Sequence, residues 1–134
     1  MGPAIRSSRP TEVKQPTSSS AAAPPREPDA PLLKQLANGR YRVRQPWTVE
    51  LDGKRWTVPK GYTTNGITAP AFIKKQLGDG VQYKETWAAV FHDWLFTQPG
   101  VKRSEADSTF HHLLLAYGVP AGKARMMYTT VAAY

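Results

Sequence analysis

The segment from Trp87 to Tyr117 constrains this chain more than any other. It reads Trp-Ala-Ala-Val-Phe-His92-Asp93-Trp-Leu-Phe, breaks at Pro99-Gly100, and resumes as Arg103-Ser-Glu-Ala-Asp107-Ser-Thr-Phe-His111-His112. Charged groups inside an apolar helical run cost several kcal/mol unless they are paired, hydrogen-bonded or metal-bound. Any fold of this chain must bring these polar side chains onto one another or onto a ligand.

Helical periodicity places them. A helix over 85–97 puts His92 on one face with Ala88, Ala89, Leu95 and Phe96, so its imidazole points inward. A helix over 104–117 lines up Ala106, Phe110, Leu113 and Tyr117 as a core stripe, with Asp107 beside it. If the two run antiparallel about a turn near Gly100-Val101, His92 falls opposite Phe110. Asp107 is then one turn away, ~5 Å along the axis. A His92–Asp107 hydrogen bond is expected, with Asp93 and His111 on its flanks. Each residue also has a plainer explanation. Ser104-x-x-Asp107 fits a capping box, His92 fits a core histidine bonded to a carbonyl, and His111-His112 fit a half-exposed helix face.

Two further units precede this hairpin. Trp47-Thr-Val49-Glu-Leu51 and Lys54-Arg-Trp56-Thr-Val58 each alternate, and Asp52-Gly53 joins them, which is a strong hairpin signal. Pro46 and Pro59 bracket it, and Trp47, Val49, Leu51, Trp56 and Val58 should share the face that packs on the helices. Leu32, Leu33 and Leu36, ended by Asn38-Gly39, read as a short helix with a glycine stop. Residues 61–70 form a polar loop with an Asn65-Gly66 turn, followed by a helix over 71–77 closed by Gly78-Asp79-Gly80. A last helix starts at Pro120 and runs through Met126, Met127 and Val131.

The first 31 residues differ in kind. They hold seven of the twelve prolines and only Met1, Ile5 and Val13 as aliphatic residues larger than alanine and proline. Such a stretch buries too little apolar surface to offset its ordering entropy, so alone it reads as an extended arm that orders on a partner. The resulting organisation is an arm over 1–31 and a globular domain over 32–134. Arg6 and Arg9 have no apolar core behind them and do not read as a secretory leader. No run of eighteen apolar residues is present. With no cysteine, disulfides and thiolate metal sites are excluded.

Of the net charge of +8, most lies in the globular part, with fourteen Lys or Arg against seven acids. Most of it is dispersed, as on an ordinary solvated surface. Arg40-Tyr41-Arg42-Val43-Arg44 is the local exception, because strand alternation sets three guanidiniums on one face. Arg40, Arg42 and Arg44 are therefore candidate interaction residues for nucleic acid or an acidic partner.

The blocks His92-Asp93-x-Leu95-Phe96 and Arg103-x-x-Ala106-Asp107-x-x-Phe110, with Thr64-Asn65-Gly66-Ile67-Thr68-Ala69-Pro70 upstream, resemble the signature of a small uncharacterised family encoded mostly in phages and prophages. The resemblance spans roughly residues 57–118. Where that family has Asp in the loop this chain has Asn65, and where it prefers Tyr this chain has Phe96. More distantly, the hairpin resembles the catalytic helix pair of secreted phospholipases A2. That likeness implies His92 as base, Asp107 orienting it, and Asp93 as a calcium ligand.

The expected fold is α+β, a small antiparallel hairpin or sheet from residues 40–64 packed on a helical bundle, with the extended arm. The expected function is a phage virion structural protein, an accessory head, neck or tail component. It would be made in the host cytoplasm and built into the virion, contacting other virion proteins through residues 1–31, with no cofactor. The alternative is a metal-dependent, phospholipase A2-like hydrolase of phospholipid or another ester, with His92 and Asp107 catalytic and calcium on Asp93.

Overall fold

A computed structural model describes residues 27–64 and 81–133. In chain order these contain β1 (Leu33–Gln35), a 3-10 turn (Ala37–Gly39), β2 (Tyr41–Val43), β3 (Trp47–Leu51), β4 (Lys54–Val58), α1 (Lys84–Leu95), α2 (Arg103–Ala116) and α3 (Ala121–Ala133). The architecture is α+β, as expected. The Asn65-Gly66 turn, the helix over 71–77 and most of the arm lie outside the described residues.

The Asp52-Gly53 hairpin forms as its sequence requires. Trp47 pairs with Val58, Val49 with Trp56 and Leu51 with Lys54. Asp52 (φ 53°) and Gly53 (φ 77°) both take the positive φ that a tight two-residue turn demands. Trp47, Val49 and Val58 are buried, and Leu51 and Trp56 pack on the core. Two edge-to-face contacts seat the hairpin on α1, Trp47 on Phe91 at 5.6 Å and Trp56 on Trp94 at 6.3 Å.

The leucine patch departs from expectation. Leu33 belongs to a strand rather than a helix, and β1 pairs antiparallel with β2 in a sheet separate from the hairpin. Tyr41 and Val43 are buried, so β2 presents an alternating face that recruits Leu33 as a cross-strand neighbour. Three leucines at 32, 33 and 36 are too few to hold a helix against that packing. Gly39, at φ 70°, still ends the segment as a glycine should. The single sheet expected over 40–64 is likewise replaced by two two-stranded sheets. Pro46, which has no N–H for a ladder, stands between them. The backbone of 61–64 runs along the other side of β2, with Val43 N–H donating to Tyr62 O at 2.8 Å and Thr64 N–H to Tyr41 O at 2.9 Å.

The helices form the other layer. Lys84, at the start of α1, donates to the carbonyl of Tyr117 just past the end of α2, so these two helices run antiparallel. Arg103, at the start of α2, donates to the carbonyl of Val131 near the end of α3, so α2 and α3 do too. Phe91, Leu95, Phe110, Leu113, Leu114, Tyr117 and Met127 are fully buried between them. Burial of such side chains contributes about 1.5–3 kcal/mol each, and it is this packing that holds the polar centre of the hairpin in place. The globular contacts also reach back into the segment read as arm. The carbonyl of Asp29 accepts from Trp47 Nε1 at 2.9 Å and from the Tyr117 hydroxyl at 2.7 Å.

A buried histidine–aspartate pair as the candidate functional site

His92 sits in the third turn of α1 and Asp107 in the second turn of α2, both on the faces that meet. Their side chains are each 5% exposed, and Nε2 of His92 lies 2.7 Å from Oδ1 of Asp107. A carboxylate oxygen can only accept, so Nε2 carries the hydrogen and donates it. The imidazole is flanked by Phe96, at a centroid distance of 4.6 Å, and by Phe110 at 5.0 Å. Burial pushes the His92 pKa below its usual 6.5, against the opposing pull of the Asp107 and Asp93 carboxylates. The ring is thus neutral near pH 7, with its remaining lone pair on Nδ1, and a neutral imidazole oriented by a carboxylate has the electronic character of a general base.

The second oxygen of Asp107 faces Arg103 Nε at 3.6 Å, one helical turn earlier on α2. Arg103, 54% exposed, reaches on to the Val131 carbonyl at 3.3 Å. A chain of polar contacts thus runs from α1 through α2 to α3. The expectation that Asp107 caps its helix is not met. Lys102 holds the N-cap position and no side chain caps the helix, so the carboxylate is committed to His92.

Asp93 points the other way around α1. Its Oδ2 accepts from the Tyr62 hydroxyl, which ties the loop beside β2 to the helix. Burial first, and the Asp93 carboxylate next, push the Tyr62 phenol well above the usual tyrosine range. Oδ1 of Asp93 is buried and has no hydrogen-bond partner among the described residues. Calcium takes six to eight oxygens, of which this carboxylate could offer one. Among the described residues no group of three His, Asp or Glu side chains is arranged to hold a metal ion.

Some expected neighbours are elsewhere. His111 stacks on Tyr128 of α3 at 4.9 Å, and His112 Nδ1 meets Asp52 at 2.5 Å across the hairpin turn, so neither flanks the pair. Phe96, counted with the inward face, is 44% exposed and covers His92 from the rim. Arg40, Arg42 and Arg44 are exposed on one face and take no part in the buried pair. Tyr62 carries no sequence signal for this role, because no spacing rule links a loop residue to a carboxylate 31 positions on. Arg103 carries a sequence signal of its own, because it stands at the i,i+4 spacing from Asp107.

The stretch of chain that carries these contacts also matches a known family. The sequence pattern of the family described as "Protein of unknown function (DUF1353)" matches residues 41–131, from β2 into α3, and so takes in the whole site. The chain belongs to this family. Among curated relatives, the uncharacterized protein y4jT of Sinorhizobium fredii is 29% identical over 83 residues, 62% of this chain and 25% of its own length. The uncharacterized protein y4iH of the same organism is 28% identical over 86 residues, 64% of this chain and 36% of its own length. The matched part of the chain therefore spans only a quarter to about a third of the length of these two relatives. No solved structure matches the chain.

Proposed function

We propose that this protein is a phage virion structural component, an accessory head, neck or tail piece that docks through its globular domain and its proline-rich arm. The observation that carries this reading is the closure of the His92–Asp107 pair. With both side chains 5% exposed and Phe96 and Phe110 against the imidazole, the pair suits a cross-link that specifies helix packing. The phage resemblance is carried by residues with structural work of this kind. Ala106 and Phe110 are buried, Arg103 holds Asp107, and Asp93 holds Tyr62. The segment read as arm is tied to the domain at its C-terminal end, where Asp29 accepts from Trp47 and Tyr117 and Glu27 meets Lys84 at 3.1 Å. A partner gripping residues 1–26 would therefore pull on the core. A proline-rich segment of this composition can cover a large surface when it binds. The test is a variant lacking residues 1–26, supplied in trans to cells producing particles. It should fold but fail to enter particles, and normal incorporation would contradict the arm's role.

The hydrolase reading, with calcium on Asp93, is favoured by one observation, the buried Oδ1 of Asp93, without a hydrogen-bond partner among the described residues and one residue from the neutral imidazole. Phospholipid vesicles with calcium test it. The virion reading expects background hydrolysis from the native protein, equal to that of His92→Ala. Hydrolysis lost in His92→Ala would establish the hydrolase instead.

A further inference from the structure

We infer that the outer face of the β1–β2 sheet is a docking surface for the phosphate backbone of duplex nucleic acid. Strand pairing sets Lys34 directly opposite Arg42. Hydrogen bonds from Arg44 N–H to Leu32 O and from Leu36 N–H to Arg40 O, both 2.8 Å, extend the ladder one residue each way. Arg40, Arg42 and Arg44 thereby occupy alternate positions of one extended segment. All three are exposed, as is Lys34, while the intervening Tyr41 and Val43 are buried.

Like charges directly opposite one another destabilise a sheet, so the Lys34–Arg42 pairing does not serve the pairing of the two strands. From Ala30 to Val49 the chain has no acidic residue to offset them. Among the described residues none of the four cations forms an ion pair. The carboxylates of Glu27, Glu50, Glu85, Glu105 and Asp107 are taken by Lys84, Arg55, Lys123, Lys54 and Arg103. Two of the guanidiniums are held in place by neutral acceptors, Arg40 by Thr64 O at 3.2 Å and Arg42 by Thr63 Oγ1 at 3.4 Å. These contacts leave their charge unneutralised.

The spacing favours a polyphosphate. At a strand rise of ~3.3 Å, alternate residues are roughly 6.6 Å apart, of the same order as consecutive phosphates along a strand. A duplex fits better than a single strand, because Tyr41 turns inward and the exposed cations have no aromatic side chain among them to stack an unpaired base. Contacts of this kind position a backbone without reading sequence.

The test uses the full chain and a fluorescent 20-base-pair DNA duplex of arbitrary sequence, followed by anisotropy from 50 to 200 mM salt. Four phosphate contacts predict a log–log slope near −3.6, a loss on the order of 10²-fold over that range. Arg40→Gln/Arg42→Gln/Arg44→Gln, verified as folded by circular dichroism, should bind at least about tenfold more weakly at 50 mM and show a slope near −1. Arg55→Gln/Lys102→Gln/Arg125→Gln removes the same charge elsewhere and should bind like the native protein. Absence of duplex binding at 50 mM, or equal losses in both triple variants, would overturn the inference. Poly-glutamate displacing the duplex at a lower charge-equivalent concentration would also overturn it and assign the face to an acidic protein.

Discussion

Asp107→Ala removes a carboxylate that serves two helices. In the native protein Oδ1 accepts from His92 Nε2 at 2.7 Å, with both side chains buried. A hydrogen bond to a charged acceptor is worth about 1.5–3 kcal/mol, and stranding the buried Nε2–H adds a desolvation penalty of about 1–3 kcal/mol. Arg103 contributes little to the loss, because it is more than half exposed and water replaces its partner. The expected destabilisation is thus about 3–5 kcal/mol, the range for breaking a buried pair by removing one member. Loss of a helix cap alone would cost only about 0.5–2 kcal/mol. Asp107→Asn keeps an oxygen to accept from Nε2 and should cost less than Asp107→Ala. Urea melts of Asp107→Ala, His92→Ala and the double variant give the coupling directly. A coupling near zero, with the single losses adding, would refute the reasoning, since it would mean that the two side chains do not stabilise one another.

Three further outcomes follow from the same contacts. Because burial lowers the His92 pKa in the folded protein below its usual 6.5, the unfolded chain binds the extra proton first. Stability should therefore fall as pH drops below about 6.5, by at most ~1.4 kcal/mol per pH unit from this group, until the folded state also protonates. In His92→Phe, melts across pH 5–7.5 should lose that component. Gly53→Ala puts a side chain at φ 77° and should cost about 1–2 kcal/mol by thermal melting. Trp47→Phe removes the indole donor to Asp29 and should cost about 0.5–1.5 kcal/mol. Amide hydrogen exchange read by mass spectrometry should also quicken over residues 27–32 in this variant.

How far the sequence could be read depended on whether the governing contacts were local. The β3–β4 hairpin was legible to the residue, because Asp52-Gly53 and the flanking alternation dictate both turn and register. The limits of α1, α2 and α3 were legible within one or two residues, and the His92–Asp107 bond followed from helical geometry once the turn at Gly100 was placed. Leu33 reads as helical because the i, i+1, i+4 spacing of Leu32, Leu33 and Leu36 fits a helix face, while its strand partner, Val43, lies ten residues on. Tyr62 escaped notice for the same reason, since its bond to Asp93 is set by how the loop beside β2 crosses α1. His111 was placed too near the pair because adjacent helix positions differ by about 100°, and Tyr128 of a third helix claims it.

The proposal that this is a virion component is tested most directly by quantitative mass spectrometry of gradient-purified particles from cells that express the chain. The account predicts the protein in the particle fraction at a fixed ratio to the major capsid protein, retained through a high-salt wash. Its presence in the lysate but absence from purified particles would contradict the account.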